Sequence, residues 1–502
     1  MITLLMLAPM GVPVAAAGLY AAVGWRPGTR WVSAGSAAAM LGAAVLTCVQ
    51  VVRAGPRVAM GGLFRVDALS GFMLLVIAIV ALIATAATPA HLQEELRTRR
   101  MSVQTCTQHS ILVQLFLAVM AAAVLAANLG IMWVAIEATT VVTAFLVGQR
   151  RSRAAVEAAW KYVVICSTGI ALALLGIVLL NDAARHLTRP VGLDWTGLMA
   201  AAPHLDPGVT RIAVVLLVLG FGTKAGLAPL HAWLPDAHSQ APAPVSALMS
   251  GVLLSVAFYA ILRTKAIADI TLGPGLTRGL LIVIGLASLA VAGSLLLAQR
   301  DLKRMLAYSS IEHMGLMALG AAIGTPLALT AVLLHILGHG LAKSVLFLSA
   351  GQVLQRNGTT RIEALTALAD REPAPAACIG LGVLALIGLP PFSLFASELG
   401  IFRAGFGARL GWVMAAALIL VVVIAAALFN LTSRMLLGRS TEPGVPSSEG
   451  SVGATVAAVL TRPATDTVIM VGALVGCAVI GISSWPLSHL LQLAAATLTG
   501  AP

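Results

Sequence analysis

Apolar runs of roughly 20 residues, the length a helix needs to cross a bilayer, recur about fourteen times between charged or Pro/Gly-marked breaks. They fall near residues 2–24, 31–52, 69–87, 111–127, 129–147, 160–180, 212–230, 245–262, 280–298, 305–323, 327–350, 378–402, 413–431 and 468–490. In hydrocarbon a chain must satisfy its own backbone, so runs of this length predict helices. The expected fold class is an all-α polytopic membrane protein of about 14 transmembrane helices. Composition agrees. The 502 residues are 59% hydrophobic and 10% charged, where about 25% charged is usual in a soluble domain. A soluble enzyme and a disordered chain are both excluded.

The charge excess has a direction. Lys and Arg number 31 against 19 Asp and Glu, leaving +12, which in a soluble protein would suggest nucleic acid. Here the basic residues occupy short loops between apolar runs, so the lipid bilayer is the expected partner and nucleic acid is not. Loops after odd-numbered runs hold 18 of them, among them Arg26, Arg97, Arg150, Lys303, Arg304, Arg439 and Arg462. Loops after even-numbered runs hold 11, among them Arg57, Arg189, Arg263, Lys265 and Arg409. That bias predicts a bacterial-type cell membrane with both termini outside and the Lys303/Arg304 loop in the cytoplasm. The first run has no basic start and is followed by Arg26, so it reads as a span rather than a cleaved leader. Cys48, Cys106, Cys166, Cys378 and Cys477 are far apart and form no C-x-x-C pair, so no redox centre or bound metal is expected in this chain.

Ionisable residues inside apolar runs carry the functional signal, because each costs about 2.5–3.5 kcal/mol at a helix centre unless paired or hydrated. Glu137 lies in NLGIMWVAIEATTVVTAF and Lys224 in VLGFGTKAGLAPLHAWLPDAHSQAPAP. Around Lys224, Gly220, Gly222, Gly226 and Pro229 interrupt the run and free backbone groups that only a protein-lined or wet cavity satisfies. A lysine there can hold or release a proton. A second interruption, Gly388-Leu389-Pro390-Pro391, precedes Glu398. Between the two lies LLHILGHGLAKSVLFL, where His335, His339 and Lys343 are four residues apart and share one helix face. His-x-x-x-His without a third ligand is a poor zinc site, whereas stacked imidazoles suit a proton wire. Glu312 and His313 sit in the tenth run.

Two broken helices five spans apart, one with a base and one with an acid, predict two inverted five-helix repeats. The chain then divides into residues 1–108 (helices one to three), 109–264 (first repeat, helices four to eight) and 265–437 (second repeat, helices nine to thirteen). Residues 438–502 make up a Ser/Gly/Pro-rich loop to about residue 462 and a fourteenth helix. The chain ends about ten residues after that helix, with no amphipathic arm expected.

FGTKAGLAPLHAWLPDAHSQAPAPVSALMSG, DLKRMLAYSSIEHMG and the His335/His339/Lys343 helix resemble the antiporter-like, proton-translocating subunits of respiratory complex I and the group 4 membrane-bound hydrogenases. The likeness runs from about the fourth run to the thirteenth. Glu312-His313 in YSSIEHMG looks most like hydrogenase-4 component F, with the M-type subunit of NADH–quinone oxidoreductase and the subunits of sodium/proton antiporters as alternatives. The resemblance implies that this chain is a non-catalytic channel subunit of an oxidoreductase complex. Its partners would be other membrane subunits and a peripheral redox arm holding iron–sulfur and nickel–iron or flavin centres, with protons or sodium as the transported ion.

It also implies roles. Glu137 and Lys224 would be the acid–base pair of the first half-channel, Lys343 the central relay with His335 and His339 beside it, and Glu398 the exit group. His231, Asp236, His238, Glu312 and His313 would support them. Ser255 stands where the respiratory M-type pattern has a lysine, so the link between the halves would run through water and groups such as Ser250, Ser255 or Tyr259. A rival of another class is a non-conducting scaffold, in which Glu137, Lys224 and Lys343 would tolerate neutral replacement.

Overall fold

The computed structural model describes residues 2–187, 190–438 and 465–499. Helix covers most of every apolar run predicted from sequence, and strand is confined, among the described residues, to a hairpin that pairs β1 (Arg57–Ala59) with β2 (Phe64–Val66). Eleven of the described helices are long and apolar enough to cross a membrane, or up to twelve if the bent pair Asp466–Ile482 and Leu487–Thr499 forms one span. By length and composition, then, the exact count of fourteen crossings is not confirmed, and the difference lies in the tenth and twelfth runs. The twelfth run is two half-helices, Pro373–Leu386 and Ser393–Gly407, of 14 and 15 residues. The tenth, Leu302–Ile323, carries Lys303, Arg304 and Glu312 within its helix and is not apolar enough to count by composition. The Ser/Gly/Pro-rich loop lies outside the described residues except for Gly438, as do Arg189, Arg439 and Arg462.

Three helices form the interior: α3 (Ala68–Arg97), the helix Ala243–Leu272 and α14 (Pro326–Asn357), the last two buried along their most apolar stretch. The others wrap them: α4 (Val103–Leu125), α5 (Leu129–Val147), α6 (Arg153–Arg185), α8 (Pro207–Lys224), α12 (Gly275–Leu297), α13 (Leu302–Ile323) and α18 (Gly411–Leu437). Polar residues start several of the helices. Asp67 accepts the Ser70 backbone N–H at 2.9 Å and Ser70 Oγ accepts the Asp67 N–H at 2.8 Å, a reciprocal cap on α3. Asn128, the tight turn between the fourth and fifth runs, accepts the Ile131 N–H at 2.9 Å and so starts α5.

The helix Ala243–Leu272 runs well past residue 262, where the charged pair Arg263 and Lys265 suggested a loop. Both side chains are buried in the helix and neutralised there. Arg263 forks onto both oxygens of Asp67 at 2.7 and 2.6 Å and lies over the rings of Trp195 and Tyr259. Lys265 pairs with Asp269 one turn on. Lys303, counted from sequence as a loop residue, is also buried and donates to the carbonyls of Ser239 at 3.0 Å and Ala241 at 2.7 Å.

Both predicted interruptions are real. The first parts α8 from α9 (Trp233–Gln240), and the freed backbone finds side-chain partners. The Ala228 N–H donates to Ser288 Oγ at 2.9 Å and the Trp233 indole N–H donates to the Thr223 carbonyl at 2.9 Å. The second parts α16 (Pro373–Leu386) from α17 (Ser393–Gly407). Gly388 turns there with φ +67°, and a Cβ on it would overlap the Glu398 carboxylate. A third irregularity was not foreseen: a π-turn over Met249–Leu253, between α10 (Ala243–Leu248) and α11 (Leu254–Leu272). At its centre Gly251 packs on Gly340 of α14, so closely that a Cβ on it would press on Val80 Cγ1 at 3.0 Å and on the Gly340 carbonyl oxygen at 3.3 Å.

Candidate functional site

The ionisable residues that the sequence places inside apolar runs gather into two clusters, one beside each interrupted helix. In the first, Lys224 ends α8 at the break and is fully buried. Its ammonium donates to Thr140 Oγ1 at 2.8 Å and to Tyr162 OH at 2.5 Å, and lies 4.7 Å from the Tyr162 ring centroid. Thr140 in turn donates to Glu137 Oε2 at 3.0 Å, and Ser167 donates to Glu137 Oε1 at 2.9 Å. Glu137 and Lys224 are thus joined through one hydroxyl rather than in direct contact. Glu137 is only half-buried, on a face of α5 that also presents Val134 and Val141 outward.

The second cluster is built by α13, α14 and α17. Lys343 is fully buried and donates to the Leu306 carbonyl at 2.6 Å and to Ser309 Oγ at 2.5 Å. One turn and two turns earlier on α14 come His339 and His335, whose side chains meet His313 of α13. Here the hydrogens can be placed. Ser397 gives its hydroxyl hydrogen to the Leu394 carbonyl at 2.8 Å, so at 2.9 Å it must accept from His335 Nδ1. That leaves His335 Nε2 as an acceptor for His313 Nδ1–H at 3.0 Å. The result is a directed chain from His313 through His335 to Ser397, next in sequence to Glu398. Glu398 is buried and comes close to the two imidazoles, with one ligand atom from each of the three residues inside 4.8 Å of the others.

Between the clusters lies α9. Its Trp233 ring is 4.9 Å from Tyr162 and 6.3 Å from His238, and His238 meets Phe347 of α14 edge-on at 5.3 Å. His238 and His339 have both ring nitrogens buried without a protein partner among the described residues, and Ser255 Oγ, His313 Nε2 and Glu312 Oε2 are in the same state. Leaving such a group unpaired costs about 1–3 kcal/mol. These five residues, on α9, α11, α13 and α14, leave buried polar atoms for internal water to satisfy.

The remaining expected residues lie off this line. Asp236 binds Lys161 at 3.1 Å and pairs with Arg304 at a partly exposed edge. His231 sits in the first break, half-buried, its Nδ1 without a partner. Of the lateral hydroxyls, Ser250 bonds Ser310 at 2.8 Å, but Tyr259 donates to the Val124 carbonyl and receives Arg263. Thr140, Tyr162, Ser309 and Ser397 were not singled out from sequence. A signal existed for two of them: Thr140 follows Glu137 by three positions, one helix face, and Ser397 adjoins Glu398.

An all-helical polytopic protein with buried lysines, histidines and acids beside two broken helices has the build of an antiporter-like membrane subunit. Residues 126–424 match the NADH:quinone oxidoreductase/Mrp antiporter transmembrane family. The chain belongs to that family. It is 37% identical to a hydrogenase-4 component F homolog of Methylacidiphilum infernorum over 69% of this chain and 73% of the relative. It is 31% identical to hydrogenase-4 component B of Escherichia coli over 66% of this chain, and spans about half, 49%, of that relative. In fold it resembles a chain of the Mrp complex from Dietzia sp. DQ12-45-1b, with a TM-score of 0.84, 23% identity and coverage of 99% and 97%.

Proposed function

We propose that this chain is a proton-translocating membrane subunit of a multisubunit redox complex of the hydrogenase-4 type, coupling electron transfer in partner subunits to proton movement. The observation that carries the reading is the pair of clusters, in which Lys224 is joined to Glu137 through Thr140, Lys343 to Ser309, and His313 to His335 and Ser397. In the first, Glu137 stabilises a charged Lys224 through Thr140. A change of charge near Glu137 weakens that support, and the lysine passes its proton toward His238 and the central histidines. Lys343, His339, His313 and His335 relay it, and Glu398 releases it. With Ser255 in place of a lysine, the lateral step runs through water beside His238 of α9, whose two ring nitrogens have no protein partner among the described residues; the ring contacts of Trp233 and His238 set α9 between the clusters.

The two half-channels correspond to two inverted repeats, set in a bacterial-type cell membrane with both termini outside; the bounds expected from sequence, 109–264 and 265–437, cut α4 and the helix Ala243–Leu272, so the repeats run from α4 to α11 and from α12 to α18. Redox centres belong to the peripheral partner subunits in this reading. The test is proton pumping by vesicles holding the assembled complex. Glu137→Ala and Lys224→Ala are expected to lower the protons moved per electron while electron transfer continues; an unchanged ratio contradicts the proposal. Sodium exchange would use the same groups, and a requirement of transport for sodium distinguishes it.

A further inference from the structure

A proton path needs no metal, yet the second cluster has the donor set of a metal site. One ring nitrogen from each of His313 and His335 and one carboxylate oxygen of Glu398 all lie within 4.8 Å of one another. The three residues are buried and come from α13, α14 and α17. We propose that they form a site for a zinc-class divalent cation, and that an ion seated there closes the second half of the polar axis. The binding site stands on this cluster alone; the closure rests on the translocation reading.

The donor chemistry selects the ion. Two imidazoles and one carboxylate are a three-ligand zinc set with a fourth position left for water, whereas calcium and magnesium take oxygen ligands. The spacing is near what such an ion requires. His313 Nδ1 and His335 Nε2 are 3.0 Å apart, and two ligands on a tetrahedral zinc with bonds of about 2.0–2.1 Å are about 3.3 Å apart. Zinc takes the place of the hydrogen held between the two rings: the His313 Nδ1–H bond breaks and that ring regains its hydrogen on Nε2, while the freed Nδ1 lone pair and the His335 Nε2 lone pair each form a bond to zinc in place of two of its waters. The supporting partner is already present. His335 donates its other ring hydrogen to Ser397, the contact that fixes the tautomer of a zinc-bound histidine. His339, which sequence spacing pairs with His335, is outside this donor group.

The test counts zinc in the purified, chelator-stripped, assembled complex after re-addition of zinc chloride. Wild type is expected to bind one zinc more than the His313→Gln, His335→Gln and Glu398→Gln complexes. Its zinc absorption-edge spectrum should show mixed nitrogen and oxygen ligands at about 2.0–2.1 Å. His339→Gln is expected to keep the ion, and Ser397→Ala to weaken its binding about 10- to 100-fold. Equal zinc counts in wild type and in whichever ligand variants assemble would overturn the site. One zinc bound at these residues with proton transport unchanged would overturn the closure and leave the site standing.

Discussion

Thr140 decides whether Glu137 and Lys224 act as a pair. Its single hydroxyl hydrogen goes to Glu137, and its lone pair receives Lys224. A hydrogen bond to a charged group contributes about 1.5–3 kcal/mol, so Thr140→Val is expected to slow proton transport by about tenfold or more, while Thr140→Ser retains it. Equal rates for the two variants would show that the bridge plays no part. Ser397→Ala should slow transport as well, since His335 then loses the acceptor that holds its ring in one tautomer; Ser397→Thr should restore it. The charged members of both clusters were readable because Lys224, Lys343, Glu137 and Glu398 stand alone in apolar surroundings. The hydroxyls were not. Membrane helices commonly turn serine and threonine back on their own backbone, as Thr168 does onto Val164, and sequence does not separate those from Thr140.

At the scale of the helix, the pairing of Arg263 with Asp67 explains how charge can extend an apolar span. Reading residue 262 as a boundary took Arg263 for a loop residue, because its partner lies 196 positions away. Arg263→Ala would leave Asp67 charged and buried, which costs about 3–5 kcal/mol. The expected outcome is a lower melting temperature in detergent and less assembled protein. Asp67→Asn combined with Arg263→Leu should be milder, since asparagine still caps α3 and no charge is left unpaired. A double variant as unstable as Arg263→Ala would contradict this account. The interrupted helices, by contrast, were legible from Gly226, Pro229, Gly388 and Pro390. Glycine and proline act on the backbone locally, and distant contacts are not needed to see them. The π-turn at Met249–Leu253 has no such marker apart from Gly251. Gly340→Val is expected to cost about 1–3 kcal/mol by forcing α14 off that turn, and a stability equal to wild type would show that the crossing tolerates a side chain.

Across the whole molecule, the arrangement is a row: half-buried Glu137 at one end, Lys224 at the first break, α9 between, then the lysine and histidines of α14 and the acid of α17. The class of protein was legible from long motifs, while the exact count of fourteen crossings is not confirmed. The twelfth run folds as the two half-helices that its Gly388–Pro391 break predicts, and the tenth takes Lys303 and Arg304, read from sequence as loop, into its helix. The claim on which the account depends is that this row carries protons. The most direct measurement is the ratio of protons translocated to electrons transferred in vesicles of the assembled complex bearing Lys343→Ala, where the relay is cut at its centre. The account predicts continued electron transfer with a reduced ratio; a ratio equal to wild type would contradict it.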